Sequence, residues 1–430
     1  MQTTDIIVLL ILLGCMATYI PVFMCLFFTA VLGFVFFTDF PVLLLAQTLY
    51  RSMDNFALVV VLFFILCGNI MTAGSIVEKL IKFANHMVSW LPGGLGMAGV
   101  LACGLFGAIS GSTVATVVAL GGFMIPSLIK NGYPEKYSIG LMTTSPNLGV
   151  IIPPSIGMIL YSMISNVSLE GLFSTGFLPG VLIMLGTCVY TYFIFRKKPE
   201  IIRKSVPNFK ETLAVLKECI WALMLPIIIF GGIFSGVFTA NEAAVVACVY
   251  ALFVELFIHR TIKLSQVKPI IVSSAVTSAS LLILVAGGTC FGRFMTFVNI
   301  PPRMTEMVLS TVQSPLVFLF AMNCLLLVVG MFMDIVSATM ILGPVFIPML
   351  GAFDINLMHF GLIMTVNLAI GYCTPPMGVS LYITGAIANR DLIYVSKAVI
   401  PFLIIQFLVL MFITYFPNWV LWLPRLGGYL

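Results

Sequence analysis

The stretch from Gly107 to Pro154 reads GAISGSTVATVVALGGFMIPSLIKNGYPEKYSIGLMTTSPNLGVIIPP. An apolar segment is broken at Ser110-Gly111-Ser112-Thr113. A second is broken around Pro146-Asn147 and again at Pro153-Pro154. In hydrocarbon every backbone N–H and C=O must find a partner. Irregular backbone therefore survives at membrane depth only where it is buried in protein or lines a wet cavity. Closely spaced interruptions rich in glycine and hydroxyls are where secondary transporters build ion and substrate sites.

The rest of the chain supplies the membrane. Of its 430 residues 61% are hydrophobic and 8% charged, against roughly 25% charged in a globular domain. A span needs about 20 apolar residues, so the length allows roughly a dozen crossings. The net charge of +5 does not point to nucleic acid, because the basic residues sit in loops beside apolar spans. Seven of the twenty basic residues fall between Arg196 and Lys217, namely Arg196, Lys197, Lys198, Arg203, Lys204, Lys210 and Lys217. The positive-inside rule makes that loop cytoplasmic. Ten cysteines form no CxxC pair, and His86, His259 and His359 have no metal-ligand spacing. HExxH, GxSxG and P-loop motifs are absent, so neither a hydrolase nor an ATPase is indicated. Asp5, and no basic residue, precedes the first apolar run. That run reads as a true span, not a cleavable signal.

Residues 222 apart match through the key region. Ile125-Pro126 pairs with Ile347-Pro348, Thr143 with Thr365, Gly149 with Gly371, Pro153-Pro154 with Pro375-Pro376, Pro179 with Pro401, and Ser112 with Asp334. A repeat follows. Five crossings separate the span at Phe56 from its equivalent, with the hairpin counted as none, so the second copy is inverted. The expected fold is an all-α polytopic membrane protein with inverted repeats, each holding a re-entrant helical hairpin and an interrupted helix. Residues 1–55 are N-terminal scaffold spans. Residues 56–195 form the first repeat, with an arm helix, a hairpin at 94–130 and an interrupted helix at 136–165. Residues 196–260 hold the basic loop and further scaffold spans. Residues 261–430 form the second repeat, with a hairpin at 315–350 and an interrupted helix at 357–388.

Half-helix N-termini suit a carboxylate, and unwound carbonyls suit sodium. The substrate-binding candidates are Ser112, Thr113, Asn147, Asp334, Ser337 and Arg293. The sodium candidates are Ser110, Gly111, Thr143, Ser145, Gly149, Gly330, Asp334, Thr365, Asn367, Gly371 and Thr374. Each has a plainer reading. The first tip is equally a packing turn of small residues, Asp334 a helix N-cap, and Arg293 a residue snorkelling to the interface. Glu242, in a turn that opens a helix, complements the helix dipole.

Six stretches in order resemble the large membrane subunit of tripartite ATP-independent periplasmic (TRAP) transporters. They are GAISGSTVATVVALGGFMIP, NLGVIIPPSIGMILY, NEAAVVACVYAL, GMFMDIVSATMILGPVFIP, HFGLIMTVNLAIGYCTPPMG and PFLIIQFLVLMFITYFP. The resemblance implies an elevator-type transporter of a bacterial inner membrane, coupled to Na+ and not to ATP. It implies two partners, a small four-span membrane subunit and a periplasmic substrate-binding protein. It implies a small organic acid as substrate. MDNFALVVVLFFILCGNIM at 53–71 is similar to the sialic-acid branch, with C4-dicarboxylates next. The small subunit is expected to be a separate polypeptide. A stand-alone sodium–carboxylate symporter is the alternative.

Overall fold

The computed structural model describes residues 3–18, 20–38, 40–197 and 206–430. Lys198, Arg203 and Lys204 of the basic stretch lie outside them. Among the described residues, nine helices are long and apolar enough to cross a membrane.

The chain opens with α1 (Thr3–Met16), α2 (Val22–Phe37) and α3 (Leu43–Met53). A 51° bend leads from α3 into α4 (Ala57–Ala73). Next comes α5 (Ile76–Val88), which buries Ile76, Leu80, Ile81 and Ala84 along one stripe. Lys79 and Lys82, on its polar face, both bond Glu218. An exposed pair of this kind contributes little. The stronger tie is Glu255, a fully buried carboxylate. One oxygen accepts the backbone N–H groups of Ser75 and Ile76, each at 2.8 Å. The other accepts the hydroxyls of Ser75 and Thr261. Glu255 thus satisfies orphan donors at the start of α5, where negative charge also suits the helix dipole. Gly74 leaves it room: a Cβ there would overlap the carboxylate.

The first hairpin pairs α6 (Gly94–Ser110) with α7 (Thr113–Thr116), which continues through a π turn at Val117–Gly121 into α8 (Gly122–Lys130). Gly111 makes the reversal with φ +61°, a conformation costly for residues with a Cβ. The interrupted helix follows as α9 (Glu135–Thr144), a 3-10 turn at Ser145–Asn147, α10 (Leu148–Ile151) and α11 (Ile156–Ser165). The expected break at Pro146-Asn147 is a short 3-10 segment and not an open stretch. Pro146 sits inside the 3-10 segment that continues α9, where its missing N–H cannot carry on the helical ladder. There the Leu148 N–H turns to the Ser145 carbonyl. The Thr144 carbonyl accepts instead from the Gln406 amide at 2.9 Å. The helix opens only between Ile151 and Ile156, around Pro153-Pro154.

Then come α12 (Leu169–Thr175), α13 (Phe177–Phe195), α14 (Phe209–Phe234), α15 (Ala240–Phe253), whose end is a π turn at Val254–Ile258, and α16 (Leu264–Phe297). Glu242 forms a capping box with Thr239 at the start of α15, the helix-opening role its position suggested. After α17 (Ile300–Thr311), the second hairpin pairs α18 (Pro315–Phe332) with α19 (Ile335–Ala352). The second interrupted helix is α20 (Leu357–Gly371) and α21 (Val379–Ala388), and α22 (Leu392–Tyr415) and α23 (Pro417–Leu426) end the chain.

The two copies run in opposite directions. By the 222-residue offset α16 contains the counterpart of α4. Asn69 bonds Ser274 at 2.8 Å, while Leu58 and Val285, toward the other ends, line one shared void. That register is antiparallel. α2, α3 and α4 pack on α16, and α5 and α15 pack on α14. α6 to α13 and α18 to α22 form a second group, with α9 against α22, α6 against α10 and α13, and α18 against α20.

Candidate functional site

Both hairpin tips are built the same way from different residues. Ser112 caps α7, its hydroxyl accepting the Ala115 N–H at 3.3 Å. Asp334 caps α19, one oxygen accepting the Ser337 N–H at 3.0 Å and the other its hydroxyl. Ala115 and Ser337 are themselves 222 apart, so the cap is part of the repeat. A first helical turn leaves N–H groups without intrahelical partners. At the first tip the first-turn residues Thr113 and Val114 line the central cavity. At the second, the Ile335 N–H already donates to the Tyr372 hydroxyl at 2.8 Å.

The tips meet across a cavity of about 340 Å³. Ser110 to Ala115 and Asp334 to Val336 form two of its sides, with Gly157 and Tyr372 between them. Asn69 of α4 and Thr277 of α16 close the remaining side. The cavity is polarised. The first tip contributes the hydroxyl residues Ser110, Ser112 and Thr113 to its lining, and the second contributes the half-buried Asp334. No cationic side chain pairs with Asp334 among the described residues.

Each interrupted helix touches its hairpin through glycine. A Cβ on Gly107 would overlap the Gly149 backbone, and one on Gly371 would overlap Gly330. Side chains would hold these segments apart; glycines let the unwound stretch reach the tip. Thr116, not singled out by sequence, belongs here. It is fully buried, its hydroxyl donates to the Ser112 carbonyl at 2.7 Å and lies 3.4 Å from the Ser110 hydroxyl. The i,i+4 spacing from Ser112 was the available signal.

The sodium candidates offer hard oxygen. Thr143, Thr365 and Thr374 donate their hydroxyl protons to carbonyls one turn back, which leaves lone pairs to accept or ligate. The side-chain oxygens of Thr113, Ser145 and Asn367 are buried without a hydrogen-bond partner. No cluster of three or more His, Cys, Asp or Glu exists among the described residues. Hydroxyl, amide and carboxylate oxygens of this kind suit a hard cation better than a soft transition metal.

Three predicted residues lie elsewhere. Asn147 faces α22, its amide donating to Gln406 at 2.9 Å and its oxygen accepting from Cys373 at 3.5 Å. Asn367 bonds Asn323 at 2.7 Å, and Asn323 in turn bonds Thr414 at 3.1 Å. Arg293 stacks over Phe297 at 5.1 Å and lines a separate cleft of about 720 Å³ with Arg51. Between this cleft and the central cavity is an apolar void of only about 10 Å³. It shares Ile156 and Leu281 with the cavity and Leu160 and Val285 with the cleft.

Comparison with known proteins places this architecture. The model of the DctM component of tripartite ATP-independent periplasmic transporters matches residues 9–419. The chain belongs to this family. It is 35% identical to the C4-dicarboxylate TRAP transporter large permease protein of Rhodobacter capsulatus, over 97% of this chain and 98% of that one. It is 33% identical to the sialic acid TRAP transporter large permease protein of Vibrio cholerae, over 96% and 97%. Against the isethionate TRAP transporter permease protein of Oleidesulfovibrio alaskensis it is 34% identical over 88% of its length, but spans only 59% of that longer relative. Members with these names are transport proteins, not enzymes. The crystal structure of the Alcanivorax borkumensis YdaH transporter shares the fold, with a TM-score of 0.62 at 15% identity over 97% of this chain and 99% of that one.

Proposed function

We propose that this DctM-family permease carries out sodium-coupled uptake of a small organic acid delivered by a periplasmic binding protein. It works with a small four-span subunit in a bacterial inner membrane. The basic loop marks the cytoplasmic side. The observation that carries the reading is the polarised cavity between the tips. An anion's carboxylate fits the start of α7 at Thr113 and Val114, where a helix N-terminus contributes up to about 2 kcal/mol. The far end faces Asp334, which favours hydroxyl or amide donors, or a bound sodium ion. Sialic acid, with one carboxylate and many donors, suits this better than a C4-dicarboxylate, which brings a second negative charge toward Asp334.

In this reading Na+ binds at the interrupted helices and orders both tips, and substrate then docks between them. The body of α6–α13 and α18–α22 travels against the scaffold of α2–α5 and α14–α16. Smooth contacts support that motion. A Cβ on Gly288 would lie 2.6 Å from Met340, and one on Gly292 2.9 Å from Pro344, so α16 meets α19 with almost no side chain of its own.

The test is uptake of labelled sialic acid, with succinate in parallel, into proteoliposomes holding the permease and its small subunit. An inward sodium gradient is applied with and without the binding protein. Uptake of sialic acid that needs both sodium and binding protein supports the proposal. Uptake without the binding protein favours a stand-alone symporter. Succinate uptake alone overturns the substrate, and sodium-independent uptake overturns the coupling.

A further inference from the structure

The cleft that holds Arg293 lies at the end of α16 remote from the basic loop. Its two walls differ in kind. Gln47, Thr48, Arg51, Thr289, Arg293 and Thr296 come from α3 and α16. Met163, Ile164, Met340 and Ile347 come from α11 and α19. Both guanidiniums are therefore on the scaffold, and the body presents a mainly apolar face whose polar side chain is Asn166. Neither Arg51 nor Arg293 forms an ion pair among the described residues. Arg293 instead rests on the face of Phe297, which holds a guanidinium without neutralising it. Two guanidiniums lining one 720 Å³ cleft with hydroxyls and an amide suit a carboxylate with hydrogen-bonding substituents.

We propose that this cleft is a second, outer anion site. It captures the organic acid on the scaffold before the substrate reaches the tips, and it stays in place while the body moves. The proposal rests on the uptake reading above, and it assigns Arg51 and Arg293 a role apart from the central cavity. The apolar void with Leu160 and Val285 on one side and Ile156 and Leu281 on the other separates the two sites. Occupancy of the outer site therefore does not require sodium at the interrupted helices. The moving wall carries no charged side chain in this cleft, so the two arginines supply its charge.

The experiment uses Thr289→Cys as a reporter in the full complex with its small subunit, without sodium and without binding protein. A membrane-impermeant maleimide is added from outside, and the protein lacking Thr289→Cys serves as blank. Free sialic acid at tenfold its half-effective concentration should slow labelling about tenfold, as free sites fall in proportion. An uncharged amino sugar should not slow it. Arg51→Gln with Arg293→Gln should abolish protection, and Arg51→Lys with Arg293→Lys should restore part of it. Protection that survives the double glutamine change, or that also arises with the uncharged sugar, overturns the proposal. So does labelling that speeds up when anionic phospholipid is removed, because lipid phosphate then holds the guanidiniums. So does a complex whose labelling never responds to the anion. Sodium-driven uptake, measured on the same preparation, tells failure of the outer site from failure of the transport reading. A complex that transports but shows no protection retains the central site and loses the outer one.

Discussion

The two hairpin tips occupy equivalent places in an inverted repeat, and they are not equivalent chemically. Ser112 and Asp334 make the same helix cap, each on a residue three positions ahead. At the first tip the chain turns through Gly111 in the left-handed region. At the second it passes Met333 in an extended conformation. Where the second interrupted helix places Tyr372 against its tip, the first has Val150 at the equivalent position. Symmetry supplies the geometry of opposed, unwound ends. The departures from symmetry put serine and threonine hydroxyls at one tip and a carboxylate at the other.

The largest effect should come from removing that carboxylate. Asp334→Asn keeps a good N-cap and loses the charge. Sodium-dependent uptake should fall roughly 10- to 100-fold, the span of a hydrogen bond to a charged group, with expression intact. Wild-type sodium dependence in this variant would remove Asp334 from the site. Asp334→Ala should lose the same activity and about 1 kcal/mol of cap stability besides. Ser112→Asp makes both tips acidic, and KM for the anion should rise about tenfold, equivalent to 1.4 kcal/mol of repulsion. Combining it with Asp334→Ser reverses the cavity. If only the presence of one carboxylate matters, uptake returns; if its position matters, as expected here, it does not. Tyr372→Phe frees the Ile335 N–H at a cost of about 0.5–1.5 kcal/mol, and uptake should drop about three- to tenfold. Gln406→Leu should leave KM unchanged and lower thermal stability by about 1–3 kcal/mol, because Asn147 and the Thr144 carbonyl lose their partner. A sodium-affinity change in that variant would return Asn147 to the ion site.

Much of this was legible in order along the chain. Glycine, proline and hydroxyl clusters marked both hairpins and both interrupted helices, because each is a local break in an apolar run, repeated at one offset. Asp334 could be read two ways, and the structure makes it a cap and a wall of the cavity at once. Pro146 marked a milder interruption than expected, a 3-10 segment that loosens the helical ladder without opening the chain. The links from Asn147 to Gln406 and from Asn367 through Asn323 to Thr414 join residues far apart in sequence. No periodicity signals such a pairing. Arg293 stood out as a charge in a span, but which cavity it borders depends on how α3 and α16 pack.

Glu255 has a consequence for how the protein is made. A carboxylate released alone into lipid is costly. Two of its donor residues, Ser75 and Ile76, precede it by about 180 residues, and Thr261 follows six positions later. When α15 leaves the ribosome, the start of α5 has already been synthesised. The Ser75 and Ile76 donors therefore exist before the charge that needs them is made. A circular permutant that placed α15 ahead of α5 would keep every contact in the finished protein and lose that order during assembly.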